Sequence, residues 1–321
     1  MSWLVTGGAG YIGAHVVNAL RAQGMPVTVV DDLSSGHRDY VPVDVPFLEA
    51  DINDIQALRE WMRTHAVVGV IHIAGFKYAG VSVKEPLRTY RTNVEGTAHL
   101  LQAMQEADVE RIVFSSSAAT YGTPSEEVVT EQTRTSPESP YGESKLIGEW
   151  LLAAQGRATG LVHTSLRYFN VVGSGEALLA DTSPHNLFPL VFRALEEGRA
   201  PVIFGDDYPT PDGTCVRDYI HVQDLAEAHV VAAQRLQAGD QLQPVYNLGS
   251  GDGTSVRQIM DAMRKVTGQD FEPEVRERRP GDPARIVADG SAAAADLDWR
   301  MRHSVEQMVE SAWRAAKRIQ A

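Results

Sequence analysis

The chain has 321 residues, of which 43% are hydrophobic, and a formal net charge of −13. Strongly acidic chains are poorly suited to a nucleic-acid backbone or an anionic membrane surface, so we expect neither as a partner. With one cysteine, Cys215, the chain cannot form an internal disulfide. It shows neither a secretory leader nor an apolar run of roughly 18 residues, and we expect a cytoplasmic protein.

Strands and helices alternate in the predicted order of the first half. Short apolar runs predict strands, and apolar residues recurring at helical spacing predict helices. The strands fall at 2–6, 27–30, 47–50, 67–73, 111–115 and 165–169, and the helices at 12–22, 55–63, 87–106 and from 141 onward. This alternation predicts an α/β protein with a doubly wound parallel sheet.

The regular pattern weakens after residue 169, where loops rich in Pro, Gly and Asp separate less regular elements. We predict a cofactor-binding domain over 1–169 and a smaller C-terminal α/β substrate-binding domain over 170–321. Apolar segments near 216–248, including a predicted strand at 245–248, are candidates to return to the first domain.

A glycine-rich turn joins the first strand to the first helix. T-G-G-A-G-Y-I-G contains Gly7, Gly10 and Gly13 in patterns typical of a Rossmann-type dinucleotide site. The glycines permit close approach of the backbone to a pyrophosphate, and the helix N-terminus offers free N–H groups. A plain strand-to-helix turn is the alternative interpretation.

Carboxylates at the ends of the next two strands fit the rest of a dinucleotide. Asp31 would accept hydrogen bonds from the adenosine ribose and repel a 2′-phosphate, which favours NAD over NADP. The segment that follows begins with Asp32 and carries no arginine before Arg38. Asp51 and Ile52 would contact adenine, although Asp51 is equally suited to cap the helix that follows.

A tyrosine and a lysine stand four apart in S-P-Y-G-E-S-K. Pro140 is typical of a helix start, so Tyr141 and Lys145 would share one face of the first helical turns. A nearby ammonium favours the phenolate and lowers a tyrosine pKa. Ser115–Ser117 ends the fifth strand, where catalytic groups gather in open α/β sheets. Serine, tyrosine and lysine beside NAD form a constellation for hydride transfer at a carbinol carbon.

Two other kinds of site are not supported. The serines lack a G-x-S-x-G elbow and a histidine partner, which argues against a serine hydrolase. The histidines lack metal-ligand spacing, and we predict no metal. His15, His72 and His99 lie in apolar periodic runs and are predicted to be core or boundary residues.

Several segments now carry a family resemblance. They are T-G-G-A-G-Y-I-G, H-I-A-G-F-K, T-N-V-E-G-T, S-S-S-A-A-T-Y-G, S-P-Y-G-E-S-K, L-R-Y-F-N, P-H-N-L, D-Y-P-T-P-D-G-T-C-V-R-D-Y-I-H-V, Y-N-L-G-S-G and R-R-P-G-D. On these segments the chain resembles the extended short-chain dehydrogenase/reductase family, and within it the enzymes that epimerise UDP-sugars at C4. The resemblance runs nearly end to end.

The resemblance implies two sets of binding residues. Those expected to contact NAD are Gly7, Gly10, Tyr11, Ile12, Gly13, Asp31, Asp32, Ser34, Asp51, Ile52, Ile73, Ala74, Gly75, Lys77, Asn93, Ser115, Tyr141, Lys145 and Phe169. Those expected to contact a UDP-hexose are Lys77, Ser117, Tyr141, Phe169, Asn170, Asn186, Leu187, Val202, Ile203, Phe204, Arg217, Arg279, Asp282 and Ile286.

It also implies a reaction, the interconversion of UDP-galactose and UDP-glucose. Tyr141 as phenolate would take the 4-hydroxyl proton while C4 gives hydride to NAD, and the 4-ketose would rotate before hydride returns to its other face. Ser117 would hold the 4-oxygen, and Lys145 would lower the pKa of Tyr141. A homodimer formed through helices near 87–106 and 141–155 is part of the expectation.

Two alternatives remain open at this point. Another nucleotide-sugar enzyme of the same family, a 4,6-dehydratase or a decarboxylase, is the nearer one. The dehydratases of the family carry Asp-Glu after the serine, whereas this chain has Ala118 and Ala119. A catalytically silent NAD-binding protein is the other, and its expected mark would be loss of Ser117, Tyr141 or Lys145.

Sugar scope rests on one position. By resemblance Ile286 faces the hexose, where relatives that accept N-acetylated sugars tend to carry a small residue. Isoleucine is branched and stiff at χ1, so we predict strong preference for the plain hexoses.

Overall fold

A computed structural model describes residues 1–279 and 282–320. Its strands are β1 Ser2–Thr6, β2 Val27–Asp31, β3 Phe47–Glu49, β4 Val67–His72, β5 Arg111–Ser117, β6 Val128–Val129, β7 Val162–Tyr168, β8 Asn170–Val172, β9 Val202–Phe204, β10 Val216–Arg217, β11 Tyr219–His221, β12 Val245–Leu248, β13 Thr254–Ser255, β14 Glu274–Arg276 and β15 Arg285–Ala288. Its α-helices are α1 Tyr11–Ala22, α2 Ile55–Thr64, α3 Ala79–Ser82, α4 Pro86–Tyr90, α5 Gly96–Glu106, α6 Pro140–Thr159, α7 Leu187–Glu196, α8 Val222–Ala238, α9 Val256–Thr267, α10 Ser291–Asp296 and α11 Val305–Gln320.

A seven-stranded sheet organises the molecule, in the order β12-β7-β5-β4-β1-β2-β3, with every neighbouring pair parallel. Helices cover both faces. Because side chains alternate along a strand, Trp3 and Val5 enter one core cluster and Leu4 enters the other. The predicted doubly wound, Rossmann-type sheet is confirmed.

The sheet draws on the later part of the chain. Strand β12 pairs with β7, and α8 packs against α1. Gln237 at the end of α8 accepts a hydrogen bond from the indole of Trp3 at 2.7 Å. The strand predicted at 245–248 therefore lies in the first sheet, and α8 covers that sheet.

The remaining elements, which are C-terminal apart from β6, form a smaller α/β region. It contains a four-stranded sheet in the order β13-β10-β15-β6 and two strand pairs, β11-β8 and β14-β9. Phe188, Phe192, Met260, Met263 and Trp313 form part of its core between α7, α9 and α11. Within residues 1–279 and 282–320, no helix is both long and apolar enough to cross a membrane.

One predicted helix is interrupted. The segment predicted as one helix over 87–106 consists of α4, a π-helical turn at Arg91–Glu95 and α5. The turn contains Asn93, whose side-chain amide forms two hydrogen bonds with the backbone of Phe76. Its Oδ1 accepts the Phe76 N–H, and its Nδ2 donates to the Phe76 carbonyl. Apolar periodicity does not reveal such a turn, because five residues are too few to show a change of repeat.

Candidate active site

A cavity of about 940 Å³ lies at the carboxyl ends of the parallel strands, between the large sheet and the C-terminal region. Most residues predicted to contact NAD line it: Gly7, Gly10, Tyr11, Ile12, Gly13, Asp31, Asp32, Ser34, Asp51, Ile52, Ile73, Ala74, Gly75, Lys77, Tyr141, Lys145 and Phe169. The residues predicted for the UDP-hexose that also line it are Asn170, Asn186, Leu187, Val202, Phe204, Arg217, Arg279 and Asp282. The fold thus brings both predicted sets to one cavity.

The glycine-rich turn is too tight for side chains. Gly7 has φ +72°, and a Cβ on it would lie 2.7 Å from the Ala74 nitrogen. A Cβ on Gly13 would lie 2.0 Å from the Gly7 carbonyl oxygen. Helix α1 begins beyond Gly10 without a side-chain cap, so its first N–H groups face the cavity mouth unoccupied by protein side chains. This cradle fits a pyrophosphate.

Asp31 ends β2 with its carboxylate held in place. Oδ2 accepts the Ala9 N–H and Oδ1 accepts the Leu33 N–H, both at 2.9 Å. Burial raises the pKa of Asp31, and the two backbone bonds oppose that rise. Each oxygen keeps a further lone pair, which suits ribose hydroxyls. Asp32, by contrast, is exposed, and its Oδ1 accepts hydrogen bonds from the backbone N–H and the hydroxyl of Ser34.

Asp51 does not cap the following helix, so that alternative is wrong. The N-cap of α2 is Asp54, whose Oδ1 accepts the Ala57 N–H at 3.0 Å. Asp51 instead accepts the backbone and side-chain N–H groups of Asn53, each at 2.8 Å, and lines the cavity with Ile52.

The Ser–Tyr–Lys constellation assembles from two elements. Ser117 is the last residue of β5, and its hydroxyl lies close enough to Tyr141 to lower the pKa of the phenol. Tyr141 and Lys145 lie in the first turns of α6, which begins at Pro140 as predicted. Lys145 Nζ lies 5.9 Å from the Tyr141 ring centroid and donates to the Ser115 carbonyl at 2.9 Å.

The electrostatics differ from the expectation for Tyr141. Burial raises the pKa of Tyr141 and outweighs the hydrogen bond from Ser117, which lowers it. Burial also lowers the pKa of Lys145 to about 8, against the carboxylate of Glu149, which raises it. The sequence shows which charges are near, but it does not show how dry the site is. A positively charged ligand in the cavity would favour the phenolate.

Five predicted site residues do not line the cavity. Ser117 lies near Tyr141, which does line it, and Ser115 lies beneath Lys145 with its hydroxyl bonded to His229 Nε2 at 2.8 Å. Asn93 accepts the Phe76 N–H at 2.6 Å and thereby fixes the loop after β4. Ile203 lies in the C-terminal core. Ile286 packs with Phe169 in a small cluster behind the cavity wall.

Charged groups line the C-terminal side of the cavity. Arg217 forms an ion pair with Asp282 at 3.3 Å, and the Arg279 guanidinium lies 4.0 Å from the Phe204 ring centroid. Residues 280 and 281 of the R-R-P-G-D motif lie outside the described residues. Asn186 Nδ2 donates to Asp181 Oδ2 at 2.7 Å at the start of α7.

The loop over residues 173–186 contributes Asp181, His185 and Asn186 to the cavity lining, and of these only Asn186 was predicted. Tyr11 donates to the Gly173 carbonyl at 2.6 Å, His15 Nε2 accepts the Gly175 N–H at 2.9 Å, and Tyr40 donates to the Ala180 carbonyl at 3.1 Å. Other lining residues that the sequence did not single out are Tyr78, Arg88, Asp181, His185, Arg193 and Arg199. The P-H-N-L motif could have indicated His185. No motif in the sequence pointed to the other lining residues just named.

The predicted non-catalytic histidines have structural contacts. His15 is buried and also bonds the Tyr11 carbonyl at 2.8 Å. His72 bridges Thr6 at 2.7 Å and Thr97 at 3.0 Å, and its burial lowers its pKa to about 3. His99 lies 3.1 Å from Asn53 Oδ1 at the edge of α5.

Comparison with known proteins gives a consistent result. Residues 3–249 match the family model described as the NAD dependent epimerase/dehydratase family. UDP-glucose 4-epimerase of Halalkalibacterium halodurans is 45% identical, covering 98% of this chain and 95% of that protein. UDP-glucose 4-epimerase of Corynebacterium glutamicum is 42% identical, and the match covers 98% of this chain and 95% of that protein.

Solved structures agree with the sequence relatives. UDP-glucose 4-epimerase from Brucella ovis in complex with NAD superposes with a TM-score of 0.93 at 40% identity, covering 97% of both chains. The enzyme from Bifidobacterium longum in complex with NAD⁺ and UDP gives a TM-score of 0.90 at 35% identity, over 99% of this chain and 98% of that one. The chain therefore belongs to the NAD dependent epimerase/dehydratase family.

Proposed function

We propose that this protein is an NAD-dependent 4-epimerase, an isomerase that interconverts UDP-galactose and UDP-glucose. One observation carries the proposal. Tyr141, with Ser117 close by and Lys145 one helical turn later, lines a cavity that has the glycine-rich turn and Asp31 on one side and Arg217 and Arg279 on the other. The relatives and solved structures that carry this activity align over nearly the whole chain.

The two sides of the cavity suit the two ligands. The large sheet with α1, α8 and β12 would hold NAD, with the pyrophosphate at the N-terminus of α1 and the adenosine ribose on Asp31. The C-terminal region would hold the UDP-hexose, with Arg217 and Arg279 neutralising the diphosphate through charge-assisted hydrogen bonds. We assign 1–169 and 170–321 to these two roles, with α8 and β12 joining the first.

Each catalytic side chain has a role in moving one proton. When bound, NAD supplies the oxidant that takes hydride from the sugar C4 and gives it back. Tyr141 would remove the 4-hydroxyl proton and later return it. Ser117, which lies near Tyr141, would hold the reacting oxygen, and Lys145 would stabilise the phenolate. Burial of the cavity wall would exclude water and keep the keto sugar from escaping.

Ala118 and Ala119 speak against the dehydratase alternative. They form the turn that follows Ser117, and neither side chain can transfer a proton. Loss of water from the sugar would need an added acid and base there. The presence of Ser117, Tyr141 and Lys145 likewise speaks against a silent NAD-binding protein.

The test is to incubate purified protein with UDP-galactose and no added NAD, and to measure UDP-glucose. Conversion to an equilibrium mixture with no net NADH is the expected result. Release of a 4-keto-6-deoxy sugar would establish a dehydratase instead. No turnover, with NAD bound, would support the silent binding protein.

We also propose a homodimer formed through α3, α4 and α6, which pack on one another. Val83, Leu87 and Trp150 on this surface are 61%, 78% and 61% exposed. Contiguous exposed apolar groups favour a protein interface. Light scattering should give a dimer for the wild type and a monomer for Trp150→Glu, while Val43→Glu in a separate exposed loop should remain a dimer. A monomeric wild type at micromolar concentration would contradict this surface.

A cytoplasmic location is the matching proposal. A chain with one cysteine gains nothing from an oxidising compartment. Fractionation of the source cells with the native protein would check it.

A further inference from the structure

A buried ion pair lies directly behind the catalytic residues. Glu149, on α6, accepts hydrogen bonds from Arg167 Nε at 2.8 Å and Nη2 at 2.5 Å, and from the Ser116 hydroxyl at 2.5 Å. Glu149 is 7% exposed, Arg167 4% and Ser116 0%. A carboxylate so far from water is retained only where its partners satisfy it, as they do here.

The pair joins the elements that carry the chemistry. Ser116 precedes Ser117 on β5, and Glu149 lies one helical turn after Lys145 on α6. Arg167 on β7 extends the network to the Tyr121 hydroxyl at 3.0 Å, which donates to Asn247 on β12 at 2.7 Å. A shift of α6 along β5 would therefore break several buried hydrogen bonds together.

The Glu149 carboxylate also opposes the effect of burial on Lys145. Burial disfavours the ammonium form, and the nearby negative charge favours it. Nζ meets the Ser115 carbonyl from β5, the Phe114 ring at 5.0 Å, and Tyr141 on its own helix. His72 on β4 faces it from below, and burial keeps that imidazole neutral near pH 7. Asn93 lies on the side of the Gly75 loop. Among these neighbours Glu149 contributes the negative charge.

We propose that Glu149 is a positioning residue for the epimerase reaction. It fixes α6 against the strand that carries Ser117, and it keeps the Lys145 side chain in its ammonium form inside a dry site. This inference rests on the proposed function for its kinetic consequence, but the charge state of Lys145 is measurable without turnover.

Glu149→Gln keeps the side-chain shape and removes the charge. The basic limb of the kcat profile should move to lower pH by about one unit, so that kcat above the limb falls about tenfold while KM changes little. Nuclear magnetic resonance of protein labelled with ¹³C at lysine Cε should show the same shift in the titration of Lys145, whether or not the enzyme turns over. Glu143→Gln, the same change on the same helix, should leave both unchanged.

A second variant separates this role from folding. Glu149→Gln with Arg167→Met removes both charges, so no buried guanidinium is left unpaired. Its Lys145 titration should shift in the same direction but by less, since the repelling guanidinium is gone as well. An unchanged Lys145 titration in both variants, or a loss of kcat by one factor at every pH, would overturn the proposal. Absence of epimerase activity in the wild type with a shifted Lys145 titration would reject the function and keep the charge effect.

Discussion

At the scale of single residues, the central fact is that Tyr141 is a partly buried phenol beside the buried ammonium of Lys145. The hydrogen bond from Ser117 lowers its pKa, but burial raises it more. A base at neutral pH therefore needs further positive charge at the site. Burial lowers the pKa of Lys145 to about 8, so its side chain is still mostly ammonium at pH 7. Ligand binding and base activation are linked in this arrangement.

Tyr141→Phe tests the base directly. The ring remains and the hydroxyl is lost, so kcat should fall by roughly 10²–10⁴-fold. Bound NAD should stay at the wild-type level, because the glycine turn and Asp31 are untouched. Ser117→Ala is the companion variant and should lose less, since it removes one hydrogen bond and leaves the base. A greater loss from Ser117→Ala would reverse the two assignments.

Ile286 tests sugar scope. It is 8% exposed and packs with Phe169, which lines the cavity, so we expect Ile286 to limit the width of the cavity from behind its wall. Ile286→Gly should raise activity on UDP-N-acetylglucosamine, because Phe169 gains room to retreat. It should also lower the free energy of unfolding by about 2–5 kcal/mol or more, because truncating a buried isoleucine to alanine typically has a cost of that size. Rates on both sugars should be measured well below the midpoint of unfolding.

The wild-type protein should strongly prefer the plain hexoses. Equal rates on UDP-glucose and UDP-N-acetylglucosamine in the unmodified protein would refute the argument from width at this position.

At the scale of elements, the turn between β1 and α1 brings two backbone segments so close together that Gly13 has no room for a side chain. A Cβ on Gly13 would lie 2.0 Å from a backbone oxygen that cannot move without opening the turn. Gly13→Ala should therefore cost about 1–3 kcal/mol of stability. It should also release NAD, measured as the absorbance of nucleotide that copurifies.

Gly80→Ala is the matched control for that change. It lies in α3, and an added Cβ there meets no heavy atom within 4 Å. Its stability and NAD content should equal the wild type. Full NAD content in Gly13→Ala would show that the turn tolerates a side chain and that the cradle is not the binding element.

At the scale of the whole molecule, burial of histidines predicts acid sensitivity. Burial lowers the pKa of His15, His221 and His229 to about 4 each and that of His72 to about 3. These pKa values lie below 6.5, the ordinary value of a histidine in the unfolded chain. Between about pH 4 and pH 6.5 the unfolded chain therefore binds more protons than the folded one. The stability they contribute is complete above about pH 6.5 and is lost as pH falls toward 4.

Each such histidine should cost about 1.4 kcal/mol per pH unit within that window. Urea unfolding between pH 7 and pH 5 should show a steep loss of the free energy of unfolding. His229→Gln should reduce the slope by about one proton, whereas the exposed His37→Gln should not. A flat profile in the wild type would contradict neutral burial of these side chains.

Local patterns were sufficient for part of the fold and the candidate site. The glycine turn, Asp31 at a strand end and the Tyr141–Lys145 spacing were all predicted, because each depends on backbone geometry within a few residues. Arg217 was indicated by the family resemblance of the segment from Asp207 to Val222, because a motif of that length is specific. Strand ends were less well placed: β5 runs to Ser117 rather than 115, and β7 ends at Tyr168.

The sequence by itself therefore determined the dinucleotide turn, the helix that begins at Pro140 and the residue types that meet at the cavity. Only the tertiary structure decided that β12 completes the large sheet, that the loop over 173–186 packs on α1, and that Glu149 pairs with Arg167 behind Lys145. It also decided the pKa of Tyr141, since desolvation depends on every element packed around the phenol. Local periodicity carries backbone geometry, whereas contacts between distant segments and the water they exclude arise only when the whole chain packs.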